Sequence, residues 1–129
     1  MDSRTTREPA LKPEDLARFF VERANAGDVE GIVALYEPDA ILAGPEGQVM
    51  IGIDAIRGFY AGLLANRPTF VAGEQRPALR QGNVALTSSR LVNGIVTAEV
   101  ARRQPDDTWL WAIDQPAIAT IGYRQDPRS

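Results

Sequence analysis

The first part of the chain carries apolar residues at the spacing of an α-helix. Pro13 followed by two acidic residues is typical of a helix start, because proline has no N–H to leave unpaired and acids favour the positive end of the helix dipole. The pattern predicts one helix from Pro13 to the stretch 25–27, and a second that Asp28 caps and Pro38 ends. The apolar positions of the two helices are Leu16, Phe19, Phe20, Ala24, Val29, Ile32, Val33, Leu35 and Tyr36.

Two short apolar stretches flank a turn in the next part of the chain. Residues 40–43 and 49–51 are apolar, and the stretch 44–47 between them is rich in glycine and proline. This composition is typical of a tight turn, so we predict a short pair of strands. Asp54 is the predicted cap of a third helix. The apolar stripe of that helix is Ile56, Phe59, Tyr60, Leu63 and Leu64.

From Thr69 onward the helical spacing gives way to the alternation of β-strands. Asn93–Gly94 is a strong signal for a two-residue hairpin loop, and residues 105–108 have the composition of another turn. Helices followed by such a meander predict an α+β fold, with three helices packed in a curved, mixed and largely antiparallel sheet. The predicted strands are 69–76, 84–92, 95–104 and 108–115.

The length and composition favour one domain. A chain of 129 residues, 44% hydrophobic and 24% charged, can build one hydrophobic core and is short for two. We predict a single domain over residues 12–121. Residues 1–11 are polar without a hydrophobic period and are predicted to form a flexible N-terminal arm, and residues 122–129 a polar C-terminal tail.

Charge and residue usage exclude several kinds of function. The net charge is −3 and no dense basic run occurs, which argues against a nucleic-acid site. The chain has no cysteine and no histidine, so we expect no metal and no cofactor, and acid–base chemistry must come from carboxylates, tyrosine, lysine or water. No leader-like or membrane-length apolar segment is present, and we predict a cytoplasmic protein that does not enter a membrane.

Pairing the predicted strands collects polar side chains on one face of the sheet. A two-residue loop at Asn93–Gly94 places Ser88 opposite Glu99, and the next turn places Asp114 opposite Glu99. One face then carries Ser88, Arg90, Glu99, Arg103 and Asp114. The other face carries Leu91, Val96, Val100, Trp109, Trp111 and Ile113.

Two stretches of the chain resemble known proteins. The run 25–36, together with Asp39–Ala40, Gly44–Pro45, Gly52 and the run 55–60, is similar to the bacterial ketosteroid isomerases of the nuclear transport factor 2-like (NTF2-like) superfamily. Residues 99–114, with the sequence Arg-Gln-Pro-Asp and a tryptophan, resemble the SnoaL-like relatives. The resemblance implies a cone-shaped NTF2-like fold with a pocket for a small hydrophobic organic ligand, and a homodimer through the convex sheet face. The two tryptophans would serve as anchors in that interface.

The resemblance also assigns roles to individual positions. The isomerase family's catalytic base falls at Gly44 and its oxyanion tyrosine at Phe20, so both functional groups are missing here. The protonated acid falls at Glu99, a supporting tyrosine at Tyr60, and Asp114 looks like the base of the polyketide cyclases. We therefore expect Asp114 and Glu99 to be catalytic, with the ligand contacting Phe20, Tyr36, Tyr60, Ser88, Arg90 and Arg103.

Two hypotheses of different classes follow. The first is a cofactor-free isomerase, cyclase or dehydratase that acts by proton transfer on a small hydrophobic carbonyl compound, with Asp114 as base and Glu99 as its partner acid. Two adjacent carboxylates in an apolar cavity cannot both ionise cheaply, so one pKa should rise, although Arg90 could oppose that shift or bind an anionic ligand. The second is a non-catalytic binding or dimerisation domain. In that case the charged face is simply solvated and the aromatic residues belong to the core.

Overall fold

The computed structural model describes residues 7–120, and it has the predicted α+β fold. The predicted C-terminal tail, residues 122–129, lies outside the described part. The helices are α1 (Asp15–Asn25), α2 (Val29–Val33) and α3 (Ile53–Leu64). The strands are β1 (Tyr36–Ala43), β2 (Val49–Ile51), β3 (Glu74–Gln75), β4 (Leu79–Gln81), β5 (Val84–Thr87), β6 (Ser89–Arg90), β7 (Ile95–Arg103) and β8 (Trp109–Thr120).

One mixed sheet holds all of these strands. The strand order along its main path is β2-β1-β8-β7-β5-β4. The short strand β6 also pairs with β7, and β3 pairs with β6. Among the strands described here, β1 and β8 pair in parallel and the other pairs are antiparallel. The three helices pack on one face, which we call the inner face, and apolar residues from helices and strands share one core there. Representative members are Leu16, Phe19, Ile32, Ile56, Ala85 and Ala101.

The helices begin and end close to the predicted positions, with two corrections. The Asp28 side chain caps α2 as predicted, accepting the N–H of Gly31 at 3.0 Å. However, α2 ends at Val33, and Tyr36 starts a strand instead of continuing the helix to Pro38. The N-terminal capping position of α3 is occupied by Gly52, with φ 89°, and not by the predicted Asp54. A glycine takes this left-handed conformation without the penalty that a Cβ would add.

The prediction of a flexible arm is wrong for residues 7–11. Arg7 forms an ion pair with Asp28 at 2.7 Å, and Ala10 is buried. The carbonyl of Ala10 also accepts the N–H of Trp109 at 2.9 Å. These contacts order the segment because they satisfy a strand N–H and remove an apolar side chain from water. The rest of the predicted arm, residues 1–6, lies outside the described residues.

The hairpin between β6 and β7 has a register one residue away from the predicted one. Thr87, not Ser88, pairs with Glu99. The loop holds three residues, because Leu91 donates its N–H to Ile95 and Gly94 takes the left-handed conformation with φ 86°. Three-residue loops of this kind are the next most common after two-residue ones. The shift moves Ser88 and Arg90 off the inner face, since side chains alternate along a strand.

The strands predicted as 69–76 and 84–92 are also shorter in the structure. In the first, only Glu74 and Gln75 form a ladder, with β6. The second is interrupted at Ser88, whose hydroxyl donates to the carbonyl of Thr97 at 2.7 Å.

Two irregularities of the β7–β8 hairpin, one in its loop and one near Ala112, cancel at the acidic pair. Its loop holds one residue more than predicted, because Gln104 donates its N–H to Thr108 and Asp107 takes the left-handed conformation with φ 69°. A β-bulge at Ala112 then restores the register, so that Glu99 and Asp114 pair as predicted. Bulges insert one residue in this way and re-aim the side chains that follow.

The longer loop also moves the tryptophans from the predicted outer face to the inner face. Trp111 pairs with Ala101 and Trp109 with Arg103, on the inner face. Trp109 is 1% exposed and Trp111 is 4% exposed, and both belong to the hydrophobic core. The prediction that they anchor an interface on the outer face is therefore wrong.

Within residues 7–120, no helix combines the length and apolar character needed to cross a membrane.

Candidate functional site

A cavity of about 650 Å³ lies between the inner face of the sheet and the helices α1 and α3. Its volume falls in the range of sites for small organic ligands. Most of the wall is apolar, and its aromatic residues are Phe20, Phe59, Tyr60, Phe70 and Trp111. Glu99 and Asp114 also line it, and both are buried. The cavity therefore combines an apolar body with two buried acidic side chains.

The two acidic side chains and a threonine form a row across three neighbouring strands. Thr87 on β5 pairs with Glu99 on β7, and Glu99 pairs with Asp114 on β8. The Thr87 hydroxyl donates to Glu99 Oε1 at 2.6 Å. Direct cross-strand neighbours of this kind have Cβ atoms close together, so the two carboxyl groups interact.

Asp114 is also held by a chain of two tyrosines. The hydroxyl of Tyr36, at the start of β1, donates to Asp114 Oδ2. The hydroxyl oxygens of Tyr36 and Tyr60 are 2.9 Å apart, and Tyr60 comes from α3. Tyr36 does not itself line the cavity, whereas Tyr60 and Asp114 do. Tyr36 therefore connects two cavity residues from behind the wall.

Burial changes the acidity of these groups. Burial raises the pKa of Asp114 to about 7; the Tyr36 hydrogen bond opposes that rise and the charge of Glu99 adds to it. Burial also raises the pKa of Glu99, against hydrogen bonds from Thr87 and Thr97. The pKa values of Tyr36 and Tyr60 lie above the usual value for tyrosine, mainly because of burial, so both hydroxyls keep their protons at neutral pH.

No buried cation neutralises the acidic pair among the described residues that line the cavity. Arg18 is the basic residue of that lining, and its half-exposed side chain at the mouth pairs with Asp15 at 3.2 Å. Two carboxylates that share a desolvated site without a counter-charge favour retention of a proton. At neutral pH the pair is therefore poised to bind or release one.

Of the eight residues that were predicted to be catalytic or to bind the ligand, four line the cavity. Phe20, Tyr60, Glu99 and Asp114 line the cavity, and Tyr36 lies directly behind it. The remaining predicted residues, Ser88, Arg90 and Arg103, do not line it. The Arg103 guanidinium instead contacts Asn83 Oδ1 at 2.6 Å, at the turn end of the sheet.

The residues that the sequence reasoning missed at the site include Thr87 and Trp111. Thr87 would have been found by allowing a three-residue loop at Asn93–Gly94, which has glycine at the required left-handed position. Trp111 shares the inner face with Asp114 only because of the bulge at Ala112, and the sequence carries no signal for that bulge.

The positions that correspond to the catalytic base and the oxyanion tyrosine of the ketosteroid isomerases, Gly44 and Phe20, also line the cavity. Gly44 lines it, and a Cβ there would come within 2.4 Å of the Gln48 side chain. The Phe20 ring packs edge-on against Tyr60, with centroids 5.7 Å apart, and against Phe70 at 5.6 Å. Neither position supplies a base or a hydroxyl, and the buried carboxyl groups of this cavity are those on the sheet.

Residues 7–120 contain no group of three or more His, Cys, Asp or Glu side chains that could hold a metal ion.

The fold and the acidic cavity define the class of protein as NTF2-like. The family model of the SnoaL-like domain matches residues 16–114, so the chain belongs to the SnoaL-like family. No curated protein sequence matches the chain significantly.

Solved structures share the fold at low sequence identity. A candidate calcium/calmodulin-dependent protein kinase type II association domain from Thiobacillus denitrificans is 16% identical, with a TM-score of 0.68 over 84% of this chain and 96% of that one. A candidate dehydratase of the NTF2-like family from Streptomyces avermitilis is 18% identical, with a TM-score of 0.63 over 81% and 93%. A ketosteroid isomerase-like protein from Erwinia carotovora atroseptica is 20% identical, with a TM-score of 0.59 over 78% and 88%.

Proposed function

We propose that this protein is a cofactor-free enzyme that transfers a proton on a small hydrophobic carbonyl compound, as an isomerase, cyclase or dehydratase. The observation that carries the proposal is Asp114, a buried carboxyl group in an apolar cavity whose pKa is raised to about 7. A general base works best when its pKa is near the operating pH. Strongly perturbed acidic groups in clefts are concentrated at functional sites.

In the proposed reaction Asp114 removes a proton from the carbon next to the carbonyl. The C–H bond breaks, an O–H bond forms on the carboxyl group, and the electron pair moves onto the carbonyl oxygen as an enolate. Return of the proton to a different carbon completes an isomerisation. Glu99, whose raised pKa favours its neutral form, serves as a hydrogen-bond donor or second acid beside the reacting atoms.

Hydrogen–deuterium exchange tests this proposal without knowledge of the product. A panel of hydrophobic enolisable ketones is incubated with the protein in D₂O, and loss of the α-proton signals is followed by NMR. We expect faster exchange with the wild type than in buffer, and a decrease of roughly 10²- to 10⁴-fold for Asp114→Asn, since that is the usual contribution of a general base.

The matched control is Asp39→Asn, which removes an exposed carboxylate and should leave exchange unchanged. If no ketone exchanges faster with the wild type than with Asp114→Asn, the enzyme proposal fails.

The second candidate function is a non-catalytic domain that binds a hydrophobic metabolite in the same cavity. The absence of functional groups at Phe20 and Gly44 favours it. Ketones that bind with measurable affinity but show no protein-dependent exchange would support this function.

We also propose that the outer face of the sheet forms a homodimer. One register line crosses six strands and carries only aliphatic residues, which we call the aliphatic row: Ile51, Ile41, Ile113, Val100, Leu86 and Leu79. Ile51 is 67% exposed and Leu79 is 70% exposed. Continuous exposed apolar surface of this kind is typical of interaction sites. A second copy supplies the same apolar row across a twofold axis.

A further inference from the structure

The tyrosine chain behind Asp114 has a defined direction. An ionised Asp114 has no proton, so Tyr36 must donate its own to Oδ2. Tyr36 has only one proton, and its oxygen lies 2.9 Å from that of Tyr60, so Tyr60 must be the donor in this second hydrogen bond. Hydrogen bonding therefore runs from Tyr60 to Tyr36 to Asp114.

This direction determines what Tyr60 offers to the cavity. While Asp114 is ionised, the Tyr60 proton is directed at Tyr36, and only oxygen lone pairs remain for a ligand. A negative charge at the end of the chain polarises both hydroxyls and strengthens this arrangement. When Asp114 gains a proton, Tyr36 donates to a neutral acid and the oxygen of Tyr36 becomes a weaker acceptor.

Proton transfer from a substrate moves the negative charge from Asp114 to the substrate oxygen. Resting on the function proposed above, we infer that Tyr60 holds the substrate oxygen, its hydroxyl turning from Tyr36 to the enolate as the charge leaves Asp114. The O–H bond of Tyr60 stays intact throughout, and only its acceptor changes. Tyr60 is then a catalytic residue, and Tyr36 is a positioning residue that couples it to the base.

The surroundings of Tyr60 fit this role. The titratable groups that face it are Tyr36 from β1, Glu99 from β7 and Asp114 from β8. From α1, the neighbouring ring is Phe20, and the charged residues of that helix that line the cavity are Arg18 and Glu22, both exposed at the mouth. The described residues facing Tyr60 therefore include no buried cation that would compete for an anionic oxygen or stabilise it instead.

A ketone that cannot react separates this inference from turnover. 2-Adamantanone is a rigid hydrophobic ketone that cannot form an enol, and a ¹³C label on its carbonyl reports hydrogen bonds as a downfield shift. At pH 5.5, where Asp114 is neutral, we expect the bound carbonyl to lie further downfield in the wild type than in Tyr60→Phe. At pH 8.5 this difference should shrink, because Tyr60 then donates to Tyr36.

Tyr36→Phe distinguishes coupling from simple packing. This variant removes the acceptor of Tyr60, so the Tyr60 hydroxyl should donate to the ketone at both pH values and the downfield shift should persist at pH 8.5. Equal carbonyl shifts in the wild type and Tyr60→Phe, or failure of the ketone to bind at either pH, would overturn the inference. A shift that falls with pH in Tyr36→Phe as in the wild type would remove Tyr36 from it.

The free protein gives a second measurement. Carboxyl-detected NMR titration should show a higher pKa for Asp114 in Tyr36→Phe, since the carboxylate loses a hydrogen bond, and a smaller rise in Tyr60→Phe. Ser88→Ala, which removes a hydroxyl that donates to the main-chain carbonyl of Thr97 and not to the acidic pair, is the control and should leave this pKa unchanged. An unchanged pKa in Tyr60→Phe contradicts the coupling, whereas absent ketone exchange with these shifts intact contradicts only the proposed reaction.

Discussion

Glu99 and Asp114 face each other directly across strands β7 and β8 on the inner side of the sheet, 7% and 5% exposed. Two acids in this position are costly to ionise together, because burial and mutual repulsion both favour the neutral form. The protein keeps them in spite of this cost. As the pH rises, ionisation of Asp114 should therefore lower the stability of the fold and increase the fraction of molecules whose carboxylate can accept a proton.

The first prediction concerns stability. The pKa of Asp114 is about 7 in the folded protein and lies near the ordinary aspartate value in the unfolded chain, so its contribution to stability is fully present below about pH 4 and is lost as pH rises through 7. Asp114→Asn should therefore stabilise the protein at pH 8, on the order of a few kcal/mol, and change little at pH 4. Urea unfolding at the two pH values measures this. Equal effects at both would contradict the raised pKa.

The second prediction concerns the coupling within the acidic pair. The charge of Glu99 contributes to the raised pKa of Asp114, after burial. Glu99→Gln keeps the shape and removes the charge, so the pKa of Asp114 should fall. NMR titration of the Asp114 carboxyl carbon checks the direction. A rise would show that the Glu99 side chain acts there mainly as a hydrogen-bond donor.

The third prediction uses the two tryptophans as a matched pair. Trp111 lines the cavity and Trp109 does not, although both are buried. Binding of a hydrophobic ketone should change the intrinsic fluorescence of the wild type and of Trp109→Phe. The change should be lost in Trp111→Phe. A response that depends on Trp109 instead would place the ligand outside the cavity.

The fourth prediction concerns the homodimer. Ile113 lies in the aliphatic row, and Ile113→Lys would put an unpaired charge opposite apolar side chains of the second copy. We expect a dimer in the wild type and a dissociation constant raised at least about tenfold in the variant, measured by light scattering after gel filtration. Val92→Lys changes an exposed aliphatic residue in the hairpin loop outside the row, and should leave the dimer intact. A monomeric wild type contradicts the proposal.

Local chemistry explains which parts of the fold could be predicted. The Asp28 cap and the end of α1 depend on neighbouring residues, and the structure confirms both. The end of α2 depends instead on a distant contact, since Trp111 donates its N–H to the carbonyl of Leu35 at 2.8 Å and draws Tyr36 into the sheet. The local hydrophobic period of the sequence cannot predict such a long-range hydrogen bond.

The acidic pair was predicted with the correct partner for an incomplete reason. A two-residue loop before β8 gives the right register at Asp114 only because the extra loop residue and the bulge at Ala112 offset each other. No such compensation exists before β7, so Ser88 was placed where Thr87 lies. Loop length and bulges follow from packing across the whole sheet, and single-sequence patterns do not encode them.

The bulge at Ala112 also determines which change of chain length β8 can accept. Trp111 and Asp114 are three residues apart and still share the inner face, because Ala112 is the extra residue between them. Removing Ala112 would leave them two residues apart, which is the spacing of one face of a regular strand, so Trp111 would keep Ala101 as its partner and Asp114 would keep Glu99. Loss of this residue should therefore straighten the strand while the wall of the cavity stays complete.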